Sequence, residues 1–127
     1  MSNPLALIIE DDYDSSVIFE GALKAAGFDT EVIRSGDEAL ERLATMMPEL
    51  VVLDLHLPGV SGLSILEQIR NDAHLAGTQV IVITGDTVLA DTSPLQKGAV
   101  QILVKPVTFT QLRDLARFLK LLKRSPR

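Results

Sequence analysis

Leu50-Val51-Val52-Leu53-Asp54-Leu55 places one carboxylate near the end of an otherwise unbroken apolar run. Its length and its valines suit a strand, and the lack of alternation means that both faces are covered. That is the pattern of a strand inside a parallel sheet rather than at its edge. Burying a carboxylate there costs several kcal/mol unless a partner compensates it. The groups that compensate Asp54 must therefore come from elsewhere in the chain.

Four further runs flank this one, at residues 5–9, 30–33, 80–84 and 100–104. Three are again almost continuously apolar, whereas Thr30-Glu31-Val32-Ile33 alternates and reads as an edge strand. Helical patterns fill the intervals. Asp14 is placed to cap a helix to about Ala26, with Phe19, Ala22, Leu23 and Ala26 inward and Gly27 as its stop. Ser35 and Glu38 have capping-box spacing ahead of Ala39, Leu40 and Leu43. Ser61 opens a third helix that carries Leu63, Leu66 and Ile69 to one side. A fourth is expected within residues 86–97, interrupted or restarted at Pro94. A fifth, from Phe109 to about residue 123, lines up Leu112, Leu115, Leu119 and Leu122.

Strands alternating with helices specify an α/β fold with right-handed crossovers. The expected architecture is a flavodoxin-like, doubly wound sheet of five parallel strands in the order 2-1-3-4-5, with five helices. At 127 residues, without linker or low-complexity tract, residues 1–127 read as one domain with no separate output domain. Cysteine is absent, which excludes disulfides, thiolate metal sites and cysteine nucleophiles. The first residues lack the basic region of a signal peptide, and no apolar stretch approaches membrane-spanning length, so a cytoplasmic, free-standing protein is expected. Net charge is −5, with 12 of the 17 acidic residues in positions 1–54 and six of the 12 basic ones in the last twenty. An acidic body disfavours direct nucleic-acid binding, and the basic last helix reads as a solvated face.

In open parallel sheets, ligands sit beyond the carboxyl ends of the strands. Glu10-Asp11-Asp12 follows the first strand, Asp54 ends the third, Thr84-Gly85 ends the fourth and Lys105-Pro106 follows the fifth. Several carboxylates together repel one another and call for a cation. Oxygen donors without cysteine, in a chain whose only histidines are His56 and His74, favour Mg²⁺ over zinc. An aspartate nucleophile, a divalent cation, a lysine and a hydroxyl donor are the parts needed to transfer a phosphoryl group to a carboxylate.

These four motifs resemble, in order and in placement, the bacterial two-component response-regulator receiver domain of the single-domain, chemotaxis-protein-like kind. The loop Asp54-Leu55-His56-Leu57-Pro58-Gly59-Val60-Ser61-Gly62 is part of the likeness, which spans residues 5–122. The resemblance implies that Asp54 accepts phosphate from a histidine kinase or a histidine phosphotransfer protein. It implies Mg²⁺ (or Mn²⁺) held by Asp11, Asp54 and the backbone carbonyl of His56, with Glu10 acting through a water. Thr84 and Lys105 would bind the phosphoryl oxygens, and the Lys105–Pro106 bond would be cis. Output would come from docking of an unknown downstream protein on the face built by the fourth helix, fifth strand and fifth helix. The unit would be a monomer or a phosphorylation-dependent dimer, assisting its own phosphorylation and dephosphorylation without being a dedicated enzyme.

The chain also departs from the family pattern. Ile102 stands where the family carries a switching Tyr or Phe, and the interval from Thr84 to Lys105 is one residue short. His56 and Asp86, with Gly85 between the motifs, occupy places where the family tunes access of water to the acyl phosphate. Three alternatives stand against the switch. A pseudo-receiver that signals without phosphate would lack Asp54, Thr84 or Lys105, and only Ile102 argues for it. A haloacid-dehalogenase-like phosphatase would need an aspartate where His56 stands and a cap for which the chain has no room. An FMN-binding flavodoxin would need a phosphate loop where the acidic cluster lies.

Overall fold

The computed structural model describes residues 3–87, 98 and 101–124. The elements run β1 (Leu5–Ile9), α1 (Tyr13–Ala25), β2 (Asp29–Ile33), α2 (Gly36–Leu43), β3 (Leu50–Asp54) and α3 (Gly62–Asn71). A 3-10 turn at Ala73–Leu75, β4 (Gln79–Thr84), β5 (Gln101–Val104) and the C-terminal helix (Phe109–Arg124) complete them. All strands pair in parallel, in the order β2-β1-β3-β4-β5. The doubly wound order read from the sequence is the observed one. Four α-helices lie among the described residues, and the helix expected within residues 86–97 falls mostly outside them.

Alternate residues of each inner strand feed two separate cores. Ala6, Ile8, Leu50, Val52, Ile81 and Ile83 pack with Phe19, Ala22 and Leu23 of α1 and with Leu112, Ala116 and Leu119 of the C-terminal helix. Leu7, Ile9, Val51, Leu53, Val80 and Val82 pack with Ala39 and Leu43 of α2 and with Ile65, Leu66 and Ile69 of α3. Coverage on both faces is why these strands lack alternation. Each fully buried Leu or Ile stabilises the fold by about 1.5–3 kcal/mol relative to exposure.

Helix starts follow side-chain capping. Ser35 accepts from the Glu38 amide and Ser61 from the Ser64 amide, as their spacing predicts. At α1 the cap is Asp12, not Asp14: its carboxylate accepts from the Ser15 amide at 2.9 Å. The helix therefore begins two residues earlier than expected, and Asp14 lies in its first turn, where a negative charge favours the helix dipole. Gly27, at φ 96°, stops α1 in a conformation that side chains disfavour.

Two expectations about the C-terminal helix change. Its inward face is Leu112, Ala116 and Leu119, while Leu122 is 55% exposed. Its basic residues are also more than a solvated face. Arg117 Nη2 donates to the Ala25 carbonyl and Lys120 Nζ to the Gly27 carbonyl, both at 3.1 Å. The Ala25 carbonyl is an orphan acceptor of the last turn of α1 and the Gly27 carbonyl belongs to the residue that stops the helix, so the two cations satisfy the chain there and complement the dipole. Lys123 Nζ bonds the Gly77 carbonyl likewise. His74 is bonded on both ring nitrogens: Nδ1 to Asp72 at 2.6 Å, and Nε2 to the carbonyls of Leu43 (3.0 Å) and Met46 (3.3 Å).

Candidate functional site

The carboxyl ends of the parallel strands share one rim of the sheet. Backbone bonds carry the ladder past the strand ends: Glu10 N–H to Ile33 (2.9 Å), Leu55 N–H to Ile83 (3.1 Å) and Lys105 N–H to Thr84 (2.9 Å). These bonds fix where the following side chains emerge. Gly62, opening α3, lets the chain fold back onto β3: a Cβ there would stand 2.5 Å from Leu55 Cα and 2.9 Å from the Asp54 carbonyl oxygen.

Asp54 is 2% exposed. One carboxylate oxygen accepts the His56 amide at 2.9 Å, and the other accepts Lys105 Nζ at 3.1 Å. Glu10 is equally buried; one oxygen accepts the Asp12 amide at 3.1 Å, and Oε1 has no hydrogen-bond partner among the described residues. Asp11 is exposed, and oxygens of Glu10, Asp11 and Asp54 lie within 4.8 Å of one another. Burial first, and then the adjacent Asp54 carboxyl, push the Glu10 carboxyl up to about 8, against the opposing pull of the Asp12 amide and Lys105. Thr84 is fully buried, its hydroxyl oxygen accepting the Asp86 amide at 3.0 Å, which leaves the hydroxyl proton for another acceptor. The Lys105–Pro106 bond is cis.

The structure thus brings Glu10, Asp11, Asp54 and Lys105 together, with Thr84 at the end of the neighbouring strand. Gly85, Asp86 and the His56 side chain are exposed at the same rim, and a Cβ on Gly85 would meet no atom of the described residues within 4 Å. Ile102 is half-buried against the core on the α2–α3 side. Beside Lys105, Ser15, Ile18, Phe19, Pro106 and Val107 line a cleft of about 430 Å³. The sequence showed three acids in a row without showing which is buried. The structure makes Glu10 the interior one, Asp12 a helix cap and Asp11 the outward one. Arg34 also stands at this rim, its guanidinium 5.1 Å above the Tyr13 ring, and no local sequence pattern marks it.

A divalent cation fits these residues. Lys105 is the one cation bonded to the three acidic side chains among the described residues, all the donors are hard oxygens, and there a buried oxygen of Glu10 has no hydrogen bond. Orphaned buried acceptors are uncommon, and one beside two other carboxylates is suited to the shell of a hydrated Mg²⁺.

A doubly wound sheet with this rim defines a class, and the chain belongs to it: the response regulator receiver domain family matches residues 6–117. Among curated relatives, the DNA-binding response regulator MtrA of Mycolicibacterium paratuberculosis is 34% identical over 101 residues, which is 79% of this chain and 44% of that protein. The phosphate regulon transcriptional regulatory protein PhoB of Rhizobium meliloti is 32% identical over 123 residues, 96% of this chain and 53% of that one. The chain thus spans about half the length of these relatives. Among solved structures, the CheY-like receiver domain from Methylobacillus flagellatus superposes with a TM-score of 0.82 at 25% identity, covering 93% of this chain and 99% of that one. The receiver domain of Francisella response regulator 1452 gives 0.84 at 26% identity, with 96% and 100% covered. No helix among the described residues is long and apolar enough to cross a membrane.

Proposed function

We propose that this receiver domain works as a cytoplasmic phosphorelay switch, with Asp54 accepting a phosphoryl group from the phosphohistidine of a kinase or phosphotransfer protein. Residues 1–127 act in this reading as one phosphoacceptor unit. The observation that carries it is the pairing of a nearly inaccessible Asp54 with Lys105 at 3.1 Å, inside a cluster that also holds Glu10 and Asp11.

An oxygen of Asp54 attacks phosphorus, the bond from phosphorus to the ring nitrogen breaks, and the departing imidazole keeps the electron pair and takes up a proton. The His56 amide holds the Asp54 carboxylate in a fixed orientation for that attack. Lys105 transfers its ammonium from the free carboxylate to the new phosphoryl oxygens, and the Thr84 hydroxyl donates its unused proton to another. A divalent cation (Mg²⁺ or Mn²⁺), held by Asp11, Asp54 and the His56 carbonyl and through water by Glu10, would neutralise the charge on the equatorial oxygens. Hydrolysis of the acyl phosphate resets the switch, with the exposed His56 and Asp86 side chains flanking the approach of water and Gly85 leaving it open.

Phosphorylation then alters the face that includes β5 and the C-terminal helix, where an unidentified protein docks or a second copy pairs. Ile102 has no hydroxyl or ring to swing, so movement of Thr84 and of the chain that follows it carries the change. Neither nucleic acid nor membrane is a direct partner in this reading. The test is labelling with Mg²⁺ and acetyl phosphate or phosphoramidate. One hydroxylamine-sensitive phosphoryl group per chain is expected, absent in Asp54→Asn; undiminished labelling of that variant rejects the assignment.

A further inference from the structure

A second cation stands beside the acidic cluster. Arg34 follows β2 directly, and its neighbour Ile33 accepts the Glu10 amide, so residue 34 adjoins the cluster on the side away from Lys105. Four other arginines have side chains the structure describes, and each is engaged: Arg42 with Glu31, Arg113 with Asp114, Arg117 with the Ala25 carbonyl, Arg70 with the Gly98 carbonyl. Arg34 makes no hydrogen bond or ion pair among the described residues. It lies instead over the ring of Tyr13, which is 67% exposed.

A contact between a guanidinium fork and a ring leaves most of its five N–H groups available to a ligand. That fork matches two oxygens of a phosphoryl group better than a lysine ammonium does. The hold of an exposed ring is weak, about 0.5–1 kcal/mol, so it orients the group without locking it. An anionic donor approaching three carboxylates meets repulsion, and Lys105 is already tied to Asp54. The charge of Arg34 does reach the rim. The Asp12 carboxyl is held low, chiefly by its hydrogen bonds from Ser15, and Lys105 and Arg34 add to the effect.

We propose that Arg34, oriented by Tyr13, is a donor-binding residue: it receives oxygens of the incoming anionic phosphodonor on the β2 side of the site. The inference rests on Asp54 being the acceptor and adds the direction from which the donor is guided in. It also sets a preference for donors carrying more net negative charge.

The full chain with saturating Mg²⁺ is assayed for its initial rate of Asp54 phosphorylation by acetyl phosphate, a dianion at neutral pH, and by phosphoramidate, which carries one net negative charge. Arg34→Gln should lower the second-order rate constant for acetyl phosphate roughly two- to fivefold, the range of a single exposed charge pair. It should lower that for phosphoramidate less, and flatten the salt dependence of the acetyl phosphate reaction. Tyr13→Leu, which keeps the cation and removes its platform, should reproduce part of the loss, and Arg34→Lys should recover part of it. Mg²⁺ affinity should hold or rise in Arg34→Gln, since a nearby cation opposes the metal. Unchanged rates with both donors overturn the proposal, as does an equal fall with both accompanied by weakened Mg²⁺ binding, which is the mark of a structural role. A wild-type chain that takes up no phosphoryl group on Asp54 removes the acceptor assignment itself and this inference with it.

Discussion

Replacing Gly62 with alanine tests whether the site depends on the close approach of α3 to β3. The added methyl would sit 2.5 Å from Leu55 Cα and 2.9 Å from both the Asp54 carbonyl oxygen and Leu55 Cδ2. Ordinary contact needs more than 3.4 Å. Two of the three obstacles are backbone, so no rotamer change relieves them, and α3 must shift outward by several tenths of an ångström. Overpacking of this kind costs about 1–3 kcal/mol. Alanine's helix preference over glycine returns at most about 1 kcal/mol, less in a first turn than in a helix interior. A net loss of about 1–2 kcal/mol should lower the melting temperature of a 127-residue domain by about 4–8 °C. The atoms displaced belong to Asp54 and its successor, so phosphorylation by acetyl phosphate should slow as well. Gly85→Ala is the control. Its methyl meets nothing within 4 Å, and it should shift stability by no more than about 0.5–1 kcal/mol, in the stabilising direction. A Gly62→Ala protein that melts at or above the parent temperature in a circular-dichroism scan would refute the close-approach argument.

Asp12→Ala removes the cap of α1 and should cost about 1 kcal/mol in urea unfolding, whereas Asp14→Ala should cost less than half as much; the reverse order would return the cap to Asp14. Asp11→Ala should weaken Mg²⁺ binding, measured by calorimetry, while the melting temperature stays within about 2 °C because the residue is exposed. His74 faces a carboxylate on one ring nitrogen and carbonyls on the other, so the imidazolium satisfies both sides, and the hydrogen bond to Asp72 first of all raises it above the ordinary 6.5. Glu49 of the β3 approach and Lys123 of the C-terminal helix line the same hollow, and burial there opposes the shift in part. A raised histidine contributes stability fully below pH 6.5 and loses it as pH rises through the higher folded value. His74→Gln should therefore flatten the pH dependence of stability in that window, and an NMR titration of His74 at or below 6.5 would contradict the bonding described.

Much of this was readable from local pattern. The β1 run and the start of β3 were read to the residue, and the other strand boundaries fell within one residue, because continuous Val, Ile and Leu leave little choice of strand length or face. The rim residues were readable because parallel strands deliver whatever follows them to one edge. What escaped depends on partners distant in sequence. His74 bonds carbonyls 28 and 31 residues away, which no spacing rule reveals. Which aspartate caps α1 depends on how tightly the chain turns after β1, and there Glu10 claims the Asp12 amide. Leu122 keeps the heptad-like spacing of a core residue, but the core lies along Leu112, Ala116 and Leu119, and the spacing alone cannot reveal that.

The bonds from Arg117 to Ala25 and from Lys120 to Gly27 join residues 92 and 93 positions apart. As the chain leaves the ribosome, the first helix therefore emerges long before the groups that close its end and cover its apolar side. Until the last helix arrives, Phe19, Ala22 and Leu23 lack Leu112, Ala116 and Leu119 from their shared core, and the early sheet is exposed along that flank. Completion of the domain thus waits for its last helix, and the interval before it is when a chaperone or a protease would find the domain open.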